Sequence, residues 1–399
     1  LREPLYNLEE TTVKQTKIID FAKPVYALDT AKMKKLAEEW VGYDKILIVV
    51  GGLKERDTDL ERILQKFSDQ SNVVILKESI SNVYGENFID QVDANIEVIQ
   101  AIKSNKYVPQ LVLTLGAGVV SKKLKFWLRA QKYLNHWHIT SSFEHWDIFQ
   151  GLSKVLQHDA QSFFERMYAS IAESESTYRM DWKLLSASTE RIHSDYLNQQ
   201  IFTDFKVFEF LFKNLPEGSN VHLGNSTPVR YANLLHIEEE KNLSINSNRG
   251  VSGIDGVMST AVGASIAKPN HLCFCITGDV AALYDSNALM SAHLSPQLKL
   301  IIINNQGGNI FKIIPGPQKL SELEQFFETK HAYNFEHLAN MHSCAYFTAS
   351  NIEELRIKFS NFIQEANESA ILEIKTNGDT SAQSLRAYFE YLKQEINLN

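Results

Sequence analysis

Three cysteines in 399 residues, Cys273, Cys275 and Cys344, are too few for a disulfide framework. Cys273 and Cys275 stand one residue apart in an apolar run, so they share one face of a strand, and that is not a metal-site spacing. All three read as reduced thiols of a cytoplasmic protein. The chain has no long basic run and a formal net charge of −8, which argues against nucleic acid or an anionic membrane surface as a partner. No apolar run approaches the roughly 20 residues that span a bilayer. The opening LREPLYNLEE has neither the basic nor the apolar region of a signal peptide. Internal repeats and low-complexity tracts are missing too. At 44% hydrophobic and 22% charged residues the composition is globular, and the length calls for two domains.

The most informative stretch is ITGDVAALYDSNALMSAHLSPQLKLIIINNQGGNIFKIIP, from 276 to 315. One apolar run, Leu272 to Ile276, ends in Gly278-Asp279. A second, Leu298 to Ile303, ends in Asn304-Asn305. Both read as buried parallel strands, and Tyr284 to His293 between them reads as a crossover helix. In such βαβ units ligands sit beyond the carboxyl ends of the strands. Asp279 and Asn305 fall there together. A hard divalent cation shared with phosphate groups takes oxygen ligands of this kind. Asp279 offers a carboxylate and Asn305 an amide oxygen, and Gly307 can turn a carbonyl inward for want of a Cβ. Gly278, Gly307 and Gly308 let the backbone approach an anion closely. The plainer reading, strand-end turn signals, fits the same letters when they stand alone.

The rest of the chain alternates in the same way. Helical patterns at 31–41, 58–68, 88–102 and 121–130 separate the strands KILIVV, VVILKES, LVLTL and HWHITSS. The expected fold is α/β, two doubly wound domains with mostly parallel sheets. Residues 1–24 read as a linker, 25–156 as a central α/β domain, 157–198 as a helical connector and 199–399 as the domain of the metal motif. GAG at 116–118 lies between strand and helix, where a dinucleotide would bind, but lacks the full G-x-G-x-x-G. Later in the chain, 320–329 and 335–341 read as helices.

The GD–NN pair, with GNSTPVR (224–230), NRGVSGIDGVMSTAVGAS (248–265) and NNQGGNIFKIIPGP (304–317), resembles the thiamine-diphosphate enzymes. Within them it is similar to the 2-succinyl-5-enolpyruvyl-6-hydroxy-3-cyclohexene-1-carboxylate synthase family of menaquinone biosynthesis. The resemblance spans the chain and is strongest from about residue 200 onward.

It implies a transferase that decarboxylates 2-oxoglutarate and adds the remaining four-carbon unit to isochorismate. The implied cofactors are thiamine diphosphate and Mg²⁺ (or Mn²⁺). The implied metal ligands are Asp279, Asn305 and Gly307, with Gly278 and Ser226 against the cofactor. Ile254 would bend it. Arg230 and Arg249 would receive substrate carboxylates, Asn225 would donate to substrate, Lys122 would face it, and Ile310, Phe311 and Ile314 would form an apolar wall. A homodimer or homotetramer is implied, and a missing N-terminal domain carrying the activating glutamate, so that this chain alone would be nearly inert. Val280 stands where the general motif often has glycine. Gln306 beside Asn305 leaves the metal register open by one residue. His222, His293, His331 and His342 read as structural. Two other readings stay open: a different thiamine-diphosphate decarboxylase or carboligase, and a non-catalytic nucleotide-binding module.

Overall fold

A computed structural model describes residues 28–132, 134–142, 146–172, 174–314, 316–365 and 367–398. The expected linker over 1–24 lies outside them. α1 (Thr30–Val41) leads into β1 (Ile46–Val50), α2 (Thr58–Ser68), β2 (Val73–Lys77), β3 (Phe88–Ile89), α3 (Val92–Ile102), β4 (Leu111–Leu115), α4 (Lys122–Arg129), β5 (Asn135–Thr140) and β6 (Leu152–Gln157). Next come α5 (Ala160–Tyr168) and α6 (Tyr178–Asn198). A second series runs α7 (Asp204–Asn214), β7 (Asn220–Leu223), α8 (Pro228–Ala232), β8 (Ser244–Asn246), α9 (Val257–Ala267), β9 (Cys273–Gly278), α10 (Asp279–Tyr284) and β10 (Leu298–Asn304). It ends with α11 (Ile310–Ile313), α12 (Glu336–Met341), β11 (Ala345–Ala349), α13 (Ile352–Gln364), β12 (Ala370–Lys375) and α14 (Gly378–Leu398).

The strands form two six-stranded sheets, β3-β2-β1-β4-β5-β6 and β11-β12-β10-β9-β7-β8. Every strand pair is parallel. β1, β2 and β4 are buried along their whole length, as expected of strands covered by helices on both faces. Leu60, Ile63, Leu64 and Phe67 of α2 are buried at helical spacing and form the stripe that faces the first sheet. One buried cluster joins the sheets, from Val49 and Val112 through Trp182 of α6 to Phe205 and Tyr388.

Several elements differ from expectation. Phe88 and Ile89 pair with Ile75 and Leu76 as a strand, and the helix begins at Val92, after Gln91 turns the chain with φ +50. β6 and the three-residue β8 escaped the sequence reading, being short or only half-buried. Within the expected connector, α5 packs on α2 beside the first sheet. The crossover helix begins at Asp279 and ends at Tyr284, followed by a 3₁₀ turn at Ser286–Met290, with His293 beyond it. At the break stands Asp285, whose carboxylate accepts the backbone N–H of Ser259 (2.9 Å) and its hydroxyl (2.6 Å) at the start of α9. Within 320–329 the helical part is one π turn, Leu323–Phe327.

Candidate functional site

In the second sheet the strand order reverses at β7 and β9, and β10 lies on the far side of β9. Such a switch point leaves a crevice at the carboxyl ends of the strands. The register sets Ile303 opposite Gly278 and Leu223 opposite Ile276. The turns that follow β7, β9 and β10 therefore open side by side, and they carry Asn225-Ser226, Asp279 and Asn305. The loop after β8 adds Arg249 and Ile254. These turns line a cavity of about 620 Å³.

The cavity collects Lys122, Asn225, Ser226, Arg230, Arg249, Ile254, Gly278, Asp279, Asn305, Gly307, Ile310 and Phe311. Of the residues expected at the site, only Ile314 does not line it. Ile314 lies just beyond the short α11 with extended backbone, so the helical spacing assumed for it stops one residue too early. Lys122 and Lys125 come from the other sheet, on α4, so the cavity lies between the two layers.

Asp279 is 2% exposed. Its Oδ1 accepts from Val280 N (2.7 Å) and its Oδ2 from Gly307 N (3.0 Å). The Asn305 amide donates through Nδ2 to Asp204 Oδ2 (2.9 Å), while its Oδ1 is buried without a partner. A buried acceptor with no donor costs on the order of 1–3 kcal/mol. An oxygen held this way is what a hard cation would take up. Gly307 has φ +155, and a Cβ there would lie 2.7 Å from the Glu328 carbonyl oxygen, so only glycine fits. Its own carbonyl accepts from Asn309 N across 2.9 Å, which leaves one lone pair. Gln306 is exposed and does not line this cavity.

Asn225 is fully engaged by the chain. Its Nδ2 donates to Asn248 O (2.7 Å) and Gly253 O (2.6 Å), and its Oδ1 accepts from Arg249 Nη1. It clasps the 248–253 loop, and donating to a substrate would break one of those bonds. Ser226 adopts φ +73, a conformation side chains rarely take, and its carbonyl accepts from Arg230 Nε (2.9 Å). Ile254 is half-buried in the cavity wall rather than in a core.

Burial lowers the pKa of Arg230, against the raising effect of Asp93. Burial, and then the charge of Arg230, lowers that of Arg249. Burial raises the pKa of Asp204, against the bonds from Thr376, Asn305 and Ser381.

The sequence reading missed Asp204, which orients Asn305 from 101 positions away. It missed Lys125 and Phe327, which carry no motif of their own. His331, expected to be structural, places Nε2 3.1 Å from Asp279 Oδ2, although the pair forms no hydrogen bond. In the first sheet, the switch point between β1 and β4 is closed by the chain itself. Gly51 N donates to Leu115 O and Ala117 N to Gly52 O, each across 2.8 Å. A Cβ on Gly51 would lie 1.8 Å from Ala117 O. The GAG turn thus serves a close backbone crossing.

Residues 225–374 match the family model described as "Thiamine pyrophosphate enzyme, C-terminal TPP binding domain". That span carries the cavity loops after β7, β8, β9 and β10, which makes the second sheet the coenzyme-binding layer of a thiamine-diphosphate-dependent enzyme. Over 392 residues the chain is 33% identical to the 2-succinyl-5-enolpyruvyl-6-hydroxy-3-cyclohexene-1-carboxylate synthase of Flavobacterium johnsoniae, covering 98% of this chain and 70% of that one. It is 34% identical to the synthase of the same name from Flavobacterium psychrophilum (98% and 70% covered) and 32% identical to that of Christiangramia forsetii (98% and 68%). The chain belongs to the 2-succinyl-5-enolpyruvyl-6-hydroxy-3-cyclohexene-1-carboxylate synthase family.

Proposed function

We propose that this chain binds thiamine diphosphate through a divalent cation, Mg²⁺ or Mn²⁺, and joins 2-oxoglutarate, with loss of CO₂, to isochorismate. The observation that carries the reading is the pairing of Asp279 with the partnerless Asn305 Oδ1 at the ends of adjacent strands. Asp279, Asn305 Oδ1 and the Gly307 carbonyl would hold the cation, and Gly278 and Ser226 would lie against the coenzyme. When bound, thiamine diphosphate supplies the electron sink that decarboxylation of a 2-oxo acid needs.

The protein's own residues bind, orient and shield. Ile254, projecting from a glycine-bounded loop, would support the bent coenzyme. Arg230 and Arg249 suit carboxylates because a planar guanidinium pairs with both oxygens at once. Ile310, Phe311 and Phe327 give the cavity an apolar wall that would exclude water around the isochorismate ring. Tyr284 and Phe326 line the same cavity while 68% and 69% exposed, which supports a second subunit closing over it in a homodimer or homotetramer. No helix among the described residues is long and apolar enough to cross a membrane. Cys273, Cys275 and Cys344 are free, which suits a cytoplasmic setting.

The test is CO₂ release from 2-oxoglutarate with thiamine diphosphate and Mg²⁺, expected to depend on isochorismate. Asp279→Ala should abolish Mg²⁺-dependent coenzyme binding. Undiminished binding in that variant would sink the metal assignment. Turnover of another 2-oxo acid without isochorismate would point to a different carboligase.

A further inference from the structure

Three cations converge on one side of the cavity. Arg230 comes from α8, Arg249 from the loop after β8 and Lys125 from α4 of the other sheet. They lie close enough to act on one another. Besides burial, the Glu78 carboxylate bears most on Lys125, and the charges of Arg249 and Arg230 oppose it; Arg230 and Glu78 likewise act in opposite senses on Arg249. Like charges gathered in a partly dry cavity repel, and an arriving anion would relieve that repulsion.

The neighbouring carboxylates Glu78 and Asp93 attract these cations from a distance but make no direct bond to Lys125. Glu78 is 3% exposed and turned into the protein, where it accepts from Val120 N and Ser121 N (2.6 Å each) and from Asn233 Nδ2 (3.2 Å). Asp93 accepts from the Ser121 hydroxyl. Lys123, also on α4, does not line the cavity and pairs with Glu97. Among the described residues, the Lys125 ammonium has no hydrogen bond or ion pair, although it lines the cavity half-buried. A half-buried ammonium without a partner is unusual, since its three donors want acceptors.

We propose that Lys125 is a specificity-determining residue whose ammonium completes a three-cation receptor with Arg230 and Arg249 and takes a carboxylate of the acceptor substrate. The proposal rests on the function proposed above and assigns Lys125 to one of its two substrates. The donor must sit against the coenzyme, whose expected contacts all come from loops of the second sheet. Lys125 comes from the opposite layer, so it meets the molecule that fills the space between. When the two substrates join, the donor retains one carboxylate and the acceptor brings two, and the cationic lining of Lys122, Lys125, Arg230 and Arg249 has charge enough to receive all three.

The test uses isochorismate in two measurements: its KM in the intact enzyme, and its binding to the thiamine diphosphate- and Mg²⁺-loaded protein by calorimetry. Lys125→Met should raise the isochorismate KM and Kd at least tenfold, leave the KM for 2-oxoglutarate within twofold, and leave the melting temperature unchanged. Lys125→Arg, which keeps the charge, should stay within about threefold of the wild type. An unchanged isochorismate KM in Lys125→Met, with or without lost stability, would overturn the proposal and leave Lys125 as a distant counter-charge to Glu78. A rise confined to 2-oxoglutarate would overturn the assignment to the acceptor. Failure of the functional reading itself would appear earlier, as a wild-type protein that neither binds nor turns over isochorismate, and it would take this proposal with it.

Discussion

Asn305 donates its amide N–H to Asp204 across 2.9 Å, and this single bond decides which atom of Asn305 faces the cavity. Asp204 is itself held by the hydroxyls of Thr376 (2.5 Å) and Ser381 (3.2 Å). The second-sheet helices α7 and α14 and the end of β12 thus converge on one amide. Partners behind a metal ligand typically contribute ten- to a hundredfold in affinity.

Asp204→Ala is therefore expected to weaken Mg²⁺-dependent thiamine diphosphate binding by about ten- to a hundredfold. It should also lower stability by about 3 kcal/mol, because three buried donors lose their acceptor. Asp204→Asn, which can still accept from Asn305, should recover part of the affinity. Calorimetric titration of the coenzyme at several Mg²⁺ concentrations, with urea denaturation alongside, checks both. A purely structural role would lower stability without raising the Mg²⁺ requirement.

The register of the NN turn is tested at its neighbours. Gln306→Ala should leave coenzyme affinity within twofold of wild type, because Gln306 is exposed and outside the cavity. Gly307→Ala should destabilise the protein by about 2 kcal/mol or more, since the new Cβ meets the Glu328 carbonyl oxygen at 2.7 Å in a backbone conformation alanine avoids. Equal loss of affinity in Gln306→Ala and Asn305→Ala would shift the ligand assignment by one residue.

Much of this site was legible because its chemistry is concentrated in strand-end turns. Continuous apolar runs mark the strands, and Gly278-Asp279 and Asn304-Asn305 mark where they stop. That is why eleven of the twelve cavity residues expected from sequence sit on the coenzyme-binding side of the fold, with Lys122 facing them from the other sheet. What was not legible depends on distance. Nothing near Asp204 indicates that it will meet Asn305. Lys125 looks like any solvated lysine until the fold brings α4 to the cavity that Arg230 and Arg249 also line. The Asp285 contact at the break after Tyr284 was hidden for the same reason, since its partner, Ser259, belongs to a different helix.

Asp285→Ala isolates that last contact. Ser259 N is left without its acceptor at the start of α9, at a cost of about 1–3 kcal/mol. The 253–256 turn that carries Ile254 leads directly into α9. The expected result is a lower melting temperature together with faster proteolysis within the 248–258 loop. Cleavage unchanged there would mean that Asn225, through its bonds to Asn248 and Gly253, holds the loop by itself.

Glu78 links the two sheets, and its protonation makes that link depend on pH. Burial pushes its carboxyl up to about 7, against the lowering effect of the Val120 and Ser121 N–H groups. From an ordinary value of 4.5, the folded protein keeps the proton across a window in which the unfolded chain has released it. Stability therefore falls as pH rises from about 4.5 to about 7 and levels off above, by about 3 kcal/mol in all. The buried His136, His193 and His222 act in the opposite direction. Burial lowers each to about 4, so the unfolded chain binds more protons and stability climbs with pH up to about 6.5. A raw stability profile mixes the two trends, whereas Glu78→Gln leaves the histidines untouched. The glutamine amide would confront one of the two N–H donors, so Glu78→Gln should be less stable than wild type at pH 5. The gap should narrow by about 2–3 kcal/mol by pH 8, as the wild type loses its proton and its advantage. Urea denaturation of both proteins at pH 5, 6, 7 and 8 measures it. A gap that stays constant would place the Glu78 carboxyl in its ordinary range, held ionised by the three donors around it.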